Sequence, residues 1–125
     1  MRPFRFSRFW LLLGWAGVGA VIYLSLTSTP IRTTLLYGDK LGHLLAYGVL
    51  MGWFVQLYQR RAWLVLHAIF LLLLGVSLEF LQGMTGRWFE YADMGANGLG
   101  VLLGAATAMT PWRDLLLRLE RALAG

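Results

Sequence analysis

The sequence predicts an all-α, polytopic membrane protein: four transmembrane helices in an antiparallel bundle, followed by a C-terminal amphipathic interfacial helix. Three observations predict it. Four apolar runs, at about residues 9–26, 41–58, 62–81 and 94–110, each approach the ~17–25 residues that a helix needs to cross a bilayer. The 125-residue chain is 58% hydrophobic and 14% charged, more apolar surface than so small a soluble domain can enclose. The polar residues at the margins of these runs, Asp39, Lys40, His43, Glu79, Gln82, Arg87, Asp93 and Asn97, gather at three helix ends that share one side of an up-down chain.

Taken in order, the first run follows a basic start, Met1-Arg2-Pro3-Phe4-Arg5, and carries Trp10 and Trp15 toward its first end. A secretory signal reads similarly, but Leu26-Thr27-Ser28-Thr29-Pro30 lacks a small-x-small cleavage pattern, so an uncleaved helix is expected. Pro30 stops that helix, and Asp39 stands where it can cap the second. The turn Gln59-Arg60-Arg61 is nearly minimal and makes the second and third helices antiparallel neighbours. The connection Gln82–Tyr91 is loosened by Gly83 and Gly86, and Asp93 stands to cap the fourth helix as Asp39 caps the second. Pro111 ends the last run. Residues 112–123 then alternate Leu115, Leu116, Leu119 and Leu123 with Arg113, Asp114, Arg118, Glu120 and Arg121, the pattern of a helix lying in a membrane interface. Neither a repeat nor a long linker divides the chain, so residues 1–125 are read as one domain.

Charge gives a direction. Of 11 Lys and Arg residues, Arg2, Arg5, Arg8, Arg60, Arg61, Arg113, Arg118 and Arg121 flank one end of the runs, and only Arg32, Lys40 and Arg87 flank the other. The positive-inside rule then places both termini in the cytoplasm and the polar cluster outside. The formal charge of +5 comes from Arg residues in small groups beside apolar runs, which suits anionic lipid and argues against a nucleic acid partner. The absence of Cys excludes disulfides, thiolate metal sites and a Cys nucleophile.

Helical spacing assembles the cluster. Asp39, Lys40, His43 and Tyr47 share a broad face of the second helix, Glu79 and Gln82 lie three apart, and Asp93 and Asn97 four apart. Polar groups at membrane depth need partners, so these faces are expected to point at one another. Gly48 with Gly52, and Gly100 with Gly104, form small-xxx-small faces that let helices approach closely.

Asp39-Lys40-Leu41-Gly42-His43 with Tyr47, then Glu79-Phe80-Leu81-Gln82, Arg87, Asp93 with Asn97, and Gly100 with Gly104, resemble the pattern of the VanZ-like family of small bacterial membrane proteins. The resemblance covers about residues 24–104, including the Ser25…Pro30 exit from the first helix. It implies a four-helix protein of the bacterial cytoplasmic (inner) membrane, in a family whose founding member is associated with low-level teicoplanin resistance. No established reaction comes with it.

The cluster offers chemistry without naming a reaction. His43, Glu79 and Asp93 are the candidate catalytic residues: an imidazole acts as base or nucleophile near neutrality, and a carboxylate orients it or exchanges a proton. Lys40 and Arg87 are suited to phosphate oxygens, and Asn97 and Gln82 to a sugar or amide. Together with Tyr47 these are the candidate ligand-binding residues. Asp39 and Asp93 read as helix caps before catalysts, Gln82 reads as a loop cap, and Tyr47 also reads as an internally bonded packing residue. Glu79, one turn inside a run, must be paired or neutral. No HExxH, acid-pair pattern or nucleophile elbow is present, so no metal and no cofactor is expected. His67 lies away from the cluster and reads as a packing or hydrogen-bonding residue.

Four readings follow: a protein that binds an anionic or sugar-bearing lipid or cell-wall precursor, with an effect on glycopeptide susceptibility; a membrane enzyme acting on a lipid-linked phosphate or acyl substrate; a structural or partner-binding protein, including a homo-oligomer; and a transporter, for which four spans leave little room.

Overall fold

The computed structural model of the protein describes residues 1–26, 38–84 and 91–124, and of residues 38–40 and 124 the backbone alone. The described residues are all-α. Helix α1 covers Ser7–Leu26, α2 Gly38–Leu57, α3 Arg61–Met84, α4 Tyr91–Ala106 and α5 Leu115–Ala124, with 3-10 turns at Thr107–Met109 and Pro111–Asp114 between the last two helices.

The side-chain contacts fix the arrangement. A Cβ on Gly14 would meet Trp53 at 2.8 Å and one on Gly17 would meet Leu50 at 2.9 Å, so α1 and α2 run in opposite directions. Tyr58 lies against both Trp63 and His67, and Tyr47 against Gly75, so α2 and α3 are also antiparallel. The closest approach is between α2 and α4, which run the same way. A Cβ on Gly100 would collide with the Leu44 carbonyl and sit 3.0 Å from the Gly48 nitrogen, while one on Gly104 would meet Met51 Cβ at 2.8 Å. Bare backbone on one helix therefore lies against backbone on the other, as small residues permit. Gly52 differs: its own Cβ would meet nothing, although its nitrogen lies against Gly104.

Burial follows from this geometry. Tyr47, Met51, Phe54, Val55 and Leu57 make α2 the inner helix, joined by Leu71 of α3 and Val101 of α4. By contrast, only 17% of the most apolar stretch of α1 and 28% of that of α3 is buried. Their exposed flanks carry Phe9, Leu12 and Tyr23 on α1 and Leu66, Leu73 and Phe80 on α3. Water does not tolerate apolar surface of this extent on a stable monomer.

Two helices among the described residues, α1 with 20 residues and α3 with 24, are long and apolar enough to cross a membrane. This corrects the expectation of four transmembrane helices. The apolar stretch of α2 among the described side chains is Leu41–Leu57, and the polar pair Asp39-Lys40 precedes it in the sequence. Helix α4 holds 16 residues, about 24 Å of rise, and stops at Ala106 rather than continuing to residue 110. The stop has a local cause: the Thr107 hydroxyl donates to the Gly104 carbonyl at 2.6 Å and the Thr110 hydroxyl to the Thr107 carbonyl at 2.7 Å. Thr110 is then extended, with φ −121° and ψ 163°, as expected before Pro111.

Helix α5 has two faces. Leu116, Leu117 and Glu120 are buried against the bundle, while Leu115, Leu119 and Leu123 remain exposed beside Trp112. Gln56 near the end of α2 holds the start of α5: its amide donates to the Trp112 carbonyl at 2.5 Å, and its oxygen accepts the Leu116 N–H at 2.9 Å.

Candidate functional site

His43 and Tyr47 on α2, Glu79 and Gln82 on α3, and Asp93 and Asn97 on α4 occupy corresponding ends of their helices. The amide of Asn97 lies over Gly75, where a Cβ would stand 3.1 Å from Nδ2 and 3.5 Å from Tyr47 Cε1. A side chain at residue 75 would fill the space that the amide occupies. Tyr47 and Glu79 are each 1% exposed, and the Glu79 carboxylate is within electrostatic reach of the Tyr47 ring. Asn97 and Gln82 are buried too, and the Gln82 amide donates to the Ser25 carbonyl at 2.8 Å, which joins the ends of α3 and α1.

Above this foundation is a more accessible edge. His43 Nδ1 lies 3.0 Å from Asn97 Oδ1, so the ring N–H donates to the amide oxygen. In the neutral imidazole that bond leaves Nε2 as an acceptor. Nε2 is 3.9 Å from Asp93 Oδ2, beyond hydrogen-bonding distance, with side-chain exposures of 20% for His43 and 11% for Asp93. Nε2 of the neutral ring and Asp93 Oδ2 thus stand as two acceptors side by side, a pattern that suits adjacent hydroxyls. When the imidazole is protonated, the same geometry becomes a charge pair.

Asp93 lies in the first described turn of α4, where the helix dipole favours a carboxylate. Asp39 is the second described residue of α2. The side chains of Asp39 and Lys40, and all of Arg87, lie outside the described residues. The close packing at Gly48 and Gly100 positions His43 and Asn97, which stand about one turn from those glycines. Among the described residues no group of three or more His, Cys, Asp or Glu side chains is placed to hold a metal.

His67 stands apart in an aromatic nest. Its ring centroid is 4.5 Å from Phe54 and 4.7 Å from Tyr58, and its Nδ1–H donates to the Trp63 carbonyl at 2.6 Å.

A second polar assembly, at the opposite end of the bundle, was not anticipated from sequence. Glu120 accepts the backbone N–H groups of Arg5 and Phe6, the latter at 3.1 Å, and the Trp10 indole N–H at 2.5 Å. Burial pushes the Glu120 carboxyl up, but these donors and the Arg5 charge outweigh it and hold the group below its ordinary value. Arg2 pairs with Asp114 and donates to the Arg113 carbonyl at 2.7 Å, and its backbone N–H donates to Leu57 at 2.9 Å. The Arg2 hydrogen bond holds the Asp114 carboxyl below its usual range. A signal was present: Glu120 falls between Leu116 and Leu117 around the helix, so burying those leucines carries the acid inward.

The four-span architecture and teicoplanin-linked identity implied by the family resemblance are not matched by a structure with two qualifying spans among the described residues. The chain matches no protein-family model, no characterised protein and no solved structure.

Proposed function

We propose that this is a membrane-embedded binding protein whose His43–Asp93 edge recognises the hydroxyls of a sugar-bearing lipid headgroup. The supporting observation is the pair of acceptors, Nε2 and Oδ2, 3.9 Å apart on a foundation of buried polar side chains. Two adjacent hydroxyls match two adjacent acceptors. The exposed apolar flanks of α1 and α3 are covered by acyl chains. The basic end, where Arg2, Arg60, Arg61, Arg113 and Arg118 meet, faces the cytoplasm, so the His43 end lies toward the outer leaflet.

The test is binding of a monoglycosyl diacylglycerol to the purified protein in phosphatidylcholine nanodiscs. His43→Ala and Asp93→Asn are each expected to weaken it about tenfold, through the loss of one charge-assisted or neutral hydrogen bond in a partly buried site. Leu102→Ala, on an exposed face, is expected to leave it unchanged. Equal binding by all three variants contradicts the proposal. For sidedness, Met84→Cys should label from outside intact cells and Gln59→Cys should not.

A second reading has one specific observation in its favour. An imidazole oriented by Asn97 with a free Nε2 is the arrangement of a general base, so the site also suits proton abstraction from a lipid-linked substrate. Following headgroup hydrolysis in the same nanodiscs separates the readings, since recognition alone predicts no product.

A further inference from the structure

At the opposite end of the molecule from the His43 edge, and independently of it, a cleft of about 310 Å³ opens between the N-terminal segment and α5. Arg2, Gln59, Asp114, Leu117, Arg118 and Arg121 line it. We propose that this cleft is a binding site for a phosphate-bearing anion.

Charge is the first argument. Three guanidiniums face one carboxylate across the cleft, a net excess of two positive charges. Asp114 is already committed to Arg2, with Arg118 more distant at 3.9 Å, so most of the hydrogen-bonding capacity of Arg118 and Arg121 remains available. The Arg118 side chain is 66% exposed and therefore reorients at little cost.

Shape is the second. Arg2 is only 10% exposed and held from behind by the Arg113 carbonyl, so its guanidinium is a fixed part of the wall. Arg118 and Arg121 lie three apart and approach from the other side, along α5. Donors converging from two elements suit a tetrahedral oxyanion, which accepts bonds in several directions, better than a planar carboxylate, which accepts from one edge. The volume is at the low end for ligand sites, enough for a phosphate and a small substituent.

The setting offers two sources for this phosphate. The exposed apolar face of α5, with Leu115, Leu119 and Leu123 beside Trp112, would lie against a membrane surface and bring an anionic lipid headgroup to the cleft. A soluble phosphate ester would reach the same guanidiniums from the aqueous side.

The experiment uses the full chain in phosphatidylcholine nanodiscs at physiological ionic strength. Retained phosphatidic acid is counted by native mass spectrometry, and inorganic phosphate and glycerol 3-phosphate serve as competitors. The doubly substituted Arg118→Gln, Arg121→Gln protein should bind phosphatidic acid about tenfold more weakly or worse. The charge-matched Arg60→Gln, Arg61→Gln protein should bind as the parent does. Unchanged helicity and Trp10 fluorescence show that the first variant retains its fold. Displacement of the lipid by either soluble phosphate identifies a site for free phosphate esters; binding of lipid without displacement identifies a headgroup site. Absence of binding by the parent, full affinity in the first variant, or equal losses in both would overturn the proposal.

Discussion

The two ends of the bundle hold polar groups by different means. At the His43 end, the participants lie three or four residues apart along helix faces, and the faces meet because Gly75 and Gly100 leave room. At the Glu120 end, the partners are 110 to 115 residues apart in the chain, and the N-terminal segment is held by two carboxylates, Glu120 of α5 and Asp114 just before it. The first assembly depends on backbone proximity between helices, the second on side-chain hydrogen bonds and charge. Each should therefore fail under different perturbations.

The largest effect is expected from the glycines of the α2–α4 contact. Gly100→Val places a branched side chain where the Leu44 carbonyl stands, and backbone cannot repack as a side chain can. Destabilisation of about 3 kcal/mol or more is expected in detergent unfolding, the upper part of the range for overpacking. Gly104→Ala should cost less and Gly48→Ala less again, since its Cβ would lie 3.3 Å from the Gly100 oxygen. Gly52→Ala, whose Cβ meets nothing, should be neutral or stabilise by about 0.5–1 kcal/mol through helix propensity. Any other order among the four would break the account of this contact.

Sequence alone exposed one end far better than the other. Spacing along α2, α3 and α4 brought His43, Tyr47, Glu79, Gln82, Asp93 and Asn97 into consideration together, because 3.6-residue periodicity is a local property. Their separate tasks were not legible: which of them form the buried base and which the open edge depends on how deeply each helix is set. The number of spans differs from the sequence expectation for a related reason. An apolar run records that a helix is covered by something apolar, and α2 is covered largely by protein. The Glu120 assembly was hidden because an acid amid leucines and arginines reads as one more solvent-facing charge until its helix is docked.

The next largest effect concerns the foundation of the His43 edge. Asn97→Ala removes the acceptor of the His43 N–H and opens a gap over Gly75, with an expected cost of about 1–3 kcal/mol in the same unfolding assay. Asn97→Asp should preserve the shape and the acceptor, so it should cost less than Asn97→Ala. Equal losses in the two variants would show that the two side chains are not in contact.

Acid should separate the ends. Asp114 and Glu120 both have folded-state values below their ordinary values of 3.8 and 4.5. A depressed carboxyl value stabilises the fold fully above the unfolded value and loses that contribution as pH falls through the folded one. The attachment of the N-terminal segment should thus hold from neutrality to about pH 5 and loosen below the ordinary carboxyl range. Limited proteolysis near Arg5 and Trp10 fluorescence should both report it. Glu120→Gln should be loosened already at neutral pH, with its acid dependence reduced. The smallest effect is expected from Leu102→Ala, on an exposed face, at under about 0.5 kcal/mol.

The central claim is that Asn97 holds His43 so that Nε2 presents an acceptor beside Asp93 to a sugar hydroxyl. Its most direct test is the ¹⁵N spectrum of histidine-labelled protein in nanodiscs, with and without a monoglycosyl diacylglycerol. The account predicts the Nδ1–H tautomer for the neutral His43 ring, with an Nε2 resonance that shifts on adding the glycolipid while His67 stays still. A proton on Nε2 in the neutral ring, or an Nε2 resonance indifferent to the glycolipid, would contradict it.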